Sequence, residues 1–347
     1  MIALAARLRE INYNVIAGAG EEHLAMFRNE IPGISCISFP GFKPRYSRYL
    51  PQYVTLFLQT PVLFYHVVSE HLRLKKIIRE NRIDVVISDN RFGLWNRRIK
   101  TVYVTHQIRI PFPKIFRIFE FSGILLHRAV IRKYSLCLIP DLPDNNINLS
   151  GRLSHGIKLP QNTIYTGILS RFTDMVSHTE DSPAGYRHKT VILSGPEPQR
   201  SIFRHKLEAI MKDKELKTVF LGGSSETDSP VTISENLIFL GNLPGYAMKE
   251  LITRSEGIIT RSGYTSIMEL VSLNRSALLV PTPGQTEQEY LAGWLREKGW
   301  FISVSQKELK EPLPEPGTRS IPAEEIISQS RLLLDEALKR ISEDQQQ

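Results

Sequence analysis

The chain has 347 residues, 41% of them hydrophobic and 23% charged. That is enough apolar material for two domains of about 100–200 residues each and argues against a disordered or fibrous protein. Cys36 and Cys137 lie in apolar runs without metal-ligand spacing, which speaks against a disulfide framework and fits a reducing cytoplasm. No stretch reads as a signal peptide, and the longest apolar run, 54–68, is broken by Gln59, Pro61 and His66 and falls short of the ~20 residues of a membrane span. The net charge of +8 is uneven: residues 1–172 hold 24 Lys and Arg against 11 Asp and Glu, and residues 173–347 hold 20 against 25. A basic first half calls for an anionic partner: a phosphate-bearing substrate, an acidic membrane surface or nucleic acid.

In chain order, residues 2–10 read as a helix and 14–17 and 34–39 as strands. A helical pattern at 67–80 precedes strands at 84–88 (DVVIS), 101–105 (TVYVT) and 136–140. In the second half, strand runs at 190–193, 218–221, 237–240, 257–260 and 277–280 alternate with helical patterns at 203–212, 265–273 and 287–298. Runs of four to six Val, Ile and Leu are what strands buried on both faces look like, and their alternation with helices implies parallel sheets. Residues 173–188 (TDMVSHTEDSPAGYRH) are polar and aperiodic, a linker. The expected architecture is therefore α/β, with two doubly wound, Rossmann-like domains at 1–172 and 189–347, facing across a cleft lined by the carboxyl ends of their strands.

The densest polar constellation spans 256–300. A strand ends at Thr260, Arg261–Ser262–Gly263 make a tight turn, and a helix begins near Thr265. A helix start of this kind binds anions through its free N–H groups and its dipole. Arg261 adds charge, Ser262 and Thr265 add hydroxyls, and Gly263 lets a ligand approach the backbone. Glu269, one turn beyond Thr265, can accept hydrogen bonds from vicinal hydroxyls. The loop PTPGQTEQE offers Gln285, Gln288 and Glu289 to further hydroxyls.

With RSG at 261–263, Glu269, Val280–Pro281 and Gln288 in EQEY, residues 189–300 resemble the C-terminal domain of glycosyltransferase family 28. The resemblance implies the GT-B fold, a nucleotide-sugar donor of the UDP-linked kind, and no cofactor beyond that co-substrate. It implies diphosphate contacts at Ser262 and Gly263, ribose contacts at Glu269 and sugar contacts at Gln288. Glu289 stands where the family has a second glutamine. In SGPEPQR (194–200) only Gly195 remains of the family's glycine-rich loop, and FLGNLPG (239–245) places Leu243 at the segment whose backbone reads the base.

The family's first domain opens with a strand and a glycine-rich loop, whereas residues 2–10 here already read as the helix that follows. The favoured reading is a start assigned too far downstream. Two polar residues follow strands in this half: Asp89 after DVVIS and His106 after TVYVT. Either can act as the base that takes a proton from an acceptor hydroxyl in an inverting, metal-independent displacement. Aromatic and basic residues interleave from 39 to 82 (Phe42, Lys43, Arg45, Tyr46, Arg48, Tyr49, Phe57, Phe64) and again from 108 to 119. This mixture suits peripheral docking on an anionic membrane that presents a lipid-linked acceptor, which places the protein in the cytoplasm at the inner face of the membrane. No RNA-binding motif is present, and nucleic acid is not an expected partner. Two rivals stay open: an epimerase on the same fold, and a nucleotide-sugar-binding protein without catalysis.

Overall fold

The computed structural model describes residues 1–42, 55, 58–112, 117–175, 187–222, 231–241, 243–315, 317 and 319–343. Among these, the residues up to 169 and those from 324 onward form one compact unit, and those from 170 to 323 form a second. The linker expected at 173–188 lies largely outside the described residues, which omit 176–186, and so do Lys43, Arg45, Tyr46, Arg48, Tyr49 and Phe57 of the aromatic–basic stretch.

In the first unit, β3 (Val85–Asp89), β4 (Lys100–Val104), β5 (Leu136–Ile139) and β6 (Thr163–Tyr165) form a parallel sheet in that order. β1 (Ile16–Ala19) and β2 (Ser35–Ser38) pair in parallel as a separate sheet, joined through α2 (Glu21–Glu30). β6 escapes the sequence reading because three half-buried residues carry no periodicity. Alternation along β4 sends Val102 and Val104 to one face and Tyr103 to the other, and all three are buried.

Helix α1 (Ile2–Glu10) has the bounds its pattern predicts. Its Leu4 and Leu8, one turn apart, join the core around Val102 and Val104, while Ala5 faces Ala17, Leu24 and Ile34. α3 (Thr60–Asn81) begins seven residues before the periodic stretch, because Pro61 occupies its first turn, where a missing N–H has no helical partner to lose. α4 (Phe119–Ile131) precedes β5.

Helix α9 (Ala323–Ser342) corrects the domain boundary. The sequence reading gave 324–347 to the second domain, but Ala337, Leu338 and Ile341 are buried against Leu4, Leu8 and Val102 of the first unit. Burying such side chains contributes about 1.5–3 kcal/mol each, which outweighs chain proximity. Gly167 crosses under this helix with φ +68°; a Cβ there would overlap Ser330, whose hydroxyl accepts the Ile168 N–H at 2.9 Å.

The second unit has a seven-stranded sheet with order β13-β12-β11-β7-β8-β10-β9. These are β7 (His188–Ile192), β8 (Lys217–Leu221), β9 (Val231–Ser234), β10 (Leu237–Leu240), β11 (Gly257–Thr260), β12 (Leu278–Leu279) and β13 (Ile302–Ser303). All pairs are parallel except β9–β10. The helices are α5 (Gln199–Met211), α6 (Gly245–Arg254), α7 (Tyr264–Ser272) and α8 (Thr286–Glu297). From β7 the chain builds outward through β8 and β10, then returns to place β11 on β7's other side. That reversal makes the carboxyl ends of β7 and β11 the switch point where ligands bind in open α/β sheets.

Candidate functional site

The loops at this switch point carry most of the residues that the sequence singles out. After β7, Gly195 is exposed at φ +95°, and a Cβ there would meet nothing within 4 Å. After β11, Gly263 is the N-cap of α7 with extended backbone (φ −73°, ψ 139°), and it too opens onto free space. The first-turn N–H groups that follow it have no partners within the helix, and Thr265 is exposed among them. This helix start has the backbone access and dipole of an anion site.

The Arg261 side chain is turned into the fold. Its side chain is fully buried, with Nη1 donating to the carbonyls of Val280 (3.1 Å) and Pro281 (3.2 Å), and Nη2 to Gln199 O (3.0 Å) and Gln306 Oε1 (2.6 Å). The guanidinium lies 4.0 Å over the Phe203 ring. Burial pushes its pKa down to about 9. Arg261 is therefore a brace joining the ends of β11 and β12 to the start of α5.

Ser262 is likewise buried, and its hydroxyl donates to Gln288 O at 2.8 Å. Gln288 is buried at the first turn of α8, and its Oε1 accepts the Thr282 N–H at 2.9 Å. Glu289, exposed beside it, accepts the Gly284 N–H at 2.9 Å. Gln285 is the N-cap of α8, and its buried Oε1 accepts no hydrogen bond among the described residues. These bonds bring Ser262 and Gln288 together and hold the β12–α8 loop closed. Leu243 is half-buried just before α6.

Glu269 projects from α7 and accepts the Arg171 Nε–H at 2.8 Å, with both side chains largely buried. Arg171 also reaches Met248 Sδ at 3.0 Å, and the neighbouring Ser170 hydroxyl meets that of Ser272 at 2.7 Å. Residues 170–171 are thus pinned along the helix that carries Glu269. Sequence reasoning missed Arg171 and Gln306, since each gains its meaning from a partner far away in the chain.

In the first unit, Asp89 is the exposed last residue of β3, in register with Val104 of β4. His106, half-buried, lies two residues beyond Val104, so both stand at adjacent carboxyl ends. Asn90, at φ +50°, donates its N–H to Val104 O, and its Oδ1 accepts the Tyr103 hydroxyl at 2.8 Å. Thr105 Oγ1 accepts the Gln107 N–H at 3.2 Å.

Residues 244–330 match the model of the glycosyltransferase family 28 C-terminal domain. An uncharacterized glycosyltransferase of Methanosarcina acetivorans is 24% identical over 244 residues, covering 67% of this chain and 63% of that protein. The UDP-N-acetylglucosamine–N-acetylmuramyl-(pentapeptide) pyrophosphoryl-undecaprenol N-acetylglucosamine transferase of a Sulfurihydrogenibium species is 27% identical over 175 residues, covering 42% of this chain and 50% of its own length. The chain thus spans between half and under two thirds of the length of these curated relatives. Among solved structures, the glycosyltransferase VinC in complex with DTDP superposes with a TM-score of 0.60 at 12% identity, covering 98% of this chain and 94% of its own. The chain has the GT-B fold, and its residues 244–330 are similar to the glycosyltransferase family 28 C-terminal domain.

Proposed function

We propose that this protein is a glycosyltransferase that moves a sugar from a nucleoside diphosphate, UDP by preference, to an acceptor hydroxyl with inversion and without a metal. The observation that carries this reading is the loop set at the β7/β11 switch point, with an accessible glycine and helix start after β11 and Glu269 one turn along the same helix. The diphosphate sits at the α7 start, where backbone N–H groups and the dipole stabilise the leaving charge. Glu269 takes the ribose hydroxyls, Leu243 lies at the base, and Gln285, Gln288 and Glu289 meet the sugar. His106 or Asp89 takes the acceptor proton. The relatives support this reading: one is complexed with DTDP, and another is named for a UDP-sugar donor and an undecaprenol-linked acceptor.

The acceptor is lipid-linked and met at an anionic membrane. No described helix is long and apolar enough to cross a membrane. α3 instead exposes Val62, Tyr65, Val68 and Leu72 at helical spacing, and α4 exposes Phe121, Leu125 and Leu126, each at least 45% accessible. Arg73, Lys75, Lys76 and Arg79 follow on the exposed surface of α3. Apolar side chains beside lysines and arginines suit the headgroup region.

The deciding experiment is UDP release from UDP-sugars with and without a polyprenyl-linked acceptor. Acceptor-dependent release is expected. Sugar interconversion without acceptor would instead identify an epimerase, and UDP binding without turnover a binding protein. Sedimentation with anionic vesicles, reversed by salt, is expected for the membrane arm; equal sedimentation with neutral vesicles would overturn the electrostatic part.

A further inference from the structure

Beyond β5 stands a buried carboxylate that the proposed chemistry does not use. Asp141 is fully buried, and its Oδ1 accepts the N–H groups of Leu142 and Leu149, each at 2.8 Å. Its Oδ2 accepts the Ser150 N–H at 2.9 Å, the Ser150 hydroxyl at 2.5 Å and His155 Nε2–H at 3.1 Å. Five donors on one side chain match an ionised carboxylate. They curl 142–155 into a closed loop through the short 3₁₀ turn Gly151–Leu153. His155 is fixed in turn by stacking on Tyr165.

The carbonyl of Leu153, at the end of that turn, accepts two N–H groups from the loop after β4: Ile108 at 3.0 Å and Arg109 at 2.8 Å. Ile108 is completely buried, and its own carbonyl accepts His127 Nδ1–H at 2.8 Å. On the other side, Thr105 holds Gln107 through its hydroxyl. His106 and Gln107 are thus the half-buried bight of a loop clamped at both ends.

We propose that Asp141 is a positioning residue for His106, acting through the 150–155 turn and the Leu153 carbonyl; this rests on the reading of His106 as the acceptor base. A side chain that only supported the fold would lower stability and all activities together. A positioning residue lowers the transfer step selectively, because a displacement of about 1 Å at a base can cost two orders of magnitude.

The test uses the full chain carrying Asp141→Asn, which keeps the volume but gives Oδ2's donors an amide nitrogen to face. The gentler Ser150→Ala serves as a second variant if the first does not fold. Expected are faster amide exchange at Ile108 and Arg109, an unchanged thermal shift by UDP, and a kcat for acceptor-dependent UDP release about tenfold lower at unchanged KM for the UDP-sugar. In a His106→Ala background the same substitution should have almost no further effect on kcat, since coupled residues are non-additive. Equal loss in both backgrounds, or unchanged exchange at 108 and 109, overturns the proposal. If the wild-type chain transfers no sugar, the functional reading fails separately. The clamp is then judged by whether Asp141→Asn changes the His106 ring resonance and its rate of modification by diethylpyrocarbonate; no change in either overturns it.

Discussion

Among the described residues, each unit keeps one fully buried charged side chain near the carboxyl ends of its strands, and the two are of opposite sign. In the second unit Arg261 is the donor to three backbone carbonyls and one carboxamide oxygen. In the first, Asp141 is the acceptor from three backbone N–H groups, a hydroxyl and an imidazole. Neither has an oppositely charged side chain with a fixed charge among these partners. Both are held by dipoles, which satisfy a buried ion without a second ion's desolvation cost. A single ion of this kind ties several loop segments at once, so strand-end loops become as fixed as the sheet. The difference lies in what each hub leaves accessible. Around Arg261 the open groups are backbone, at Gly195 and Gly263; around Asp141 the accessible group is a side chain, His106. A backbone surface suits an anion, and a clamped histidine suits proton transfer.

The comparison breaks most sharply if the Arg261 hub is removed. Arg261→Leu should leave three carbonyls and Gln306 without their donor inside the fold and lower stability by about 3–5 kcal/mol in urea unfolding. Arg261→Lys should recover little, because one ammonium group cannot reproduce the planar fork. A loss under about 1 kcal/mol in the leucine variant would show that water replaces the guanidinium, and the hub would be no hub.

Gly167 tests the corresponding point in the first unit, since its N–H donates to the Asp141 carbonyl at 3.0 Å while α9 crosses over it. Gly167→Ala brings both an unfavourable φ and overlap with Ser330, and should cost about 2–4 kcal/mol in thermal unfolding. Near-neutrality would mean that α9 can slide, and that its packing on the first unit is looser than its buried face implies.

Glu269 sharpens the distinction between a hub and a ligand group. Glu269→Ala breaks its pairing with Arg171 and, on the functional reading, its ribose contacts; UDP binding should weaken by about 1–3 kcal/mol in calorimetry. Equal affinity in wild type and variant would leave Glu269 as a partner of Arg171 alone.

The smallest expected effect concerns His127. Burial lowers its pKa from 6.5, against a smaller opposing contribution from its bond to Ile108. The unfolded chain therefore binds the proton more readily, so this contribution is full above about 6.5 and is lost as pH falls toward the depressed folded value. His127→Gln should flatten the slope of unfolding stability against pH in that window. An unchanged slope would assign the dependence to other groups.

The sequence by itself determined the elements and their class, because that information is local. Period-2 and continuous apolar runs set β4, β5 and β10 within a residue or so, and the 3.6 period set α1. It also placed the turn at 261–263 and Glu269 on the following helix, since four residues along a helix share a face wherever that helix packs. Tertiary structure decided which polar side chains face outward. Arg261 and Ser262 read as ligand contacts in isolation, yet their hydrogen bonds go to Val280, Pro281, Gln199, Gln306 and Gln288. Arg171 and Asp141 carried no signal, because each is defined by partners that the chain brings near only when the sheets form. The helix from 323 to 342 shows the same limit: its apolar stripe declares that it must be buried, but only the exposed face of the first unit's core could say where. Burial is a property of neighbours in space, and a one-dimensional pattern gives a side chain's periodicity without giving its neighbours.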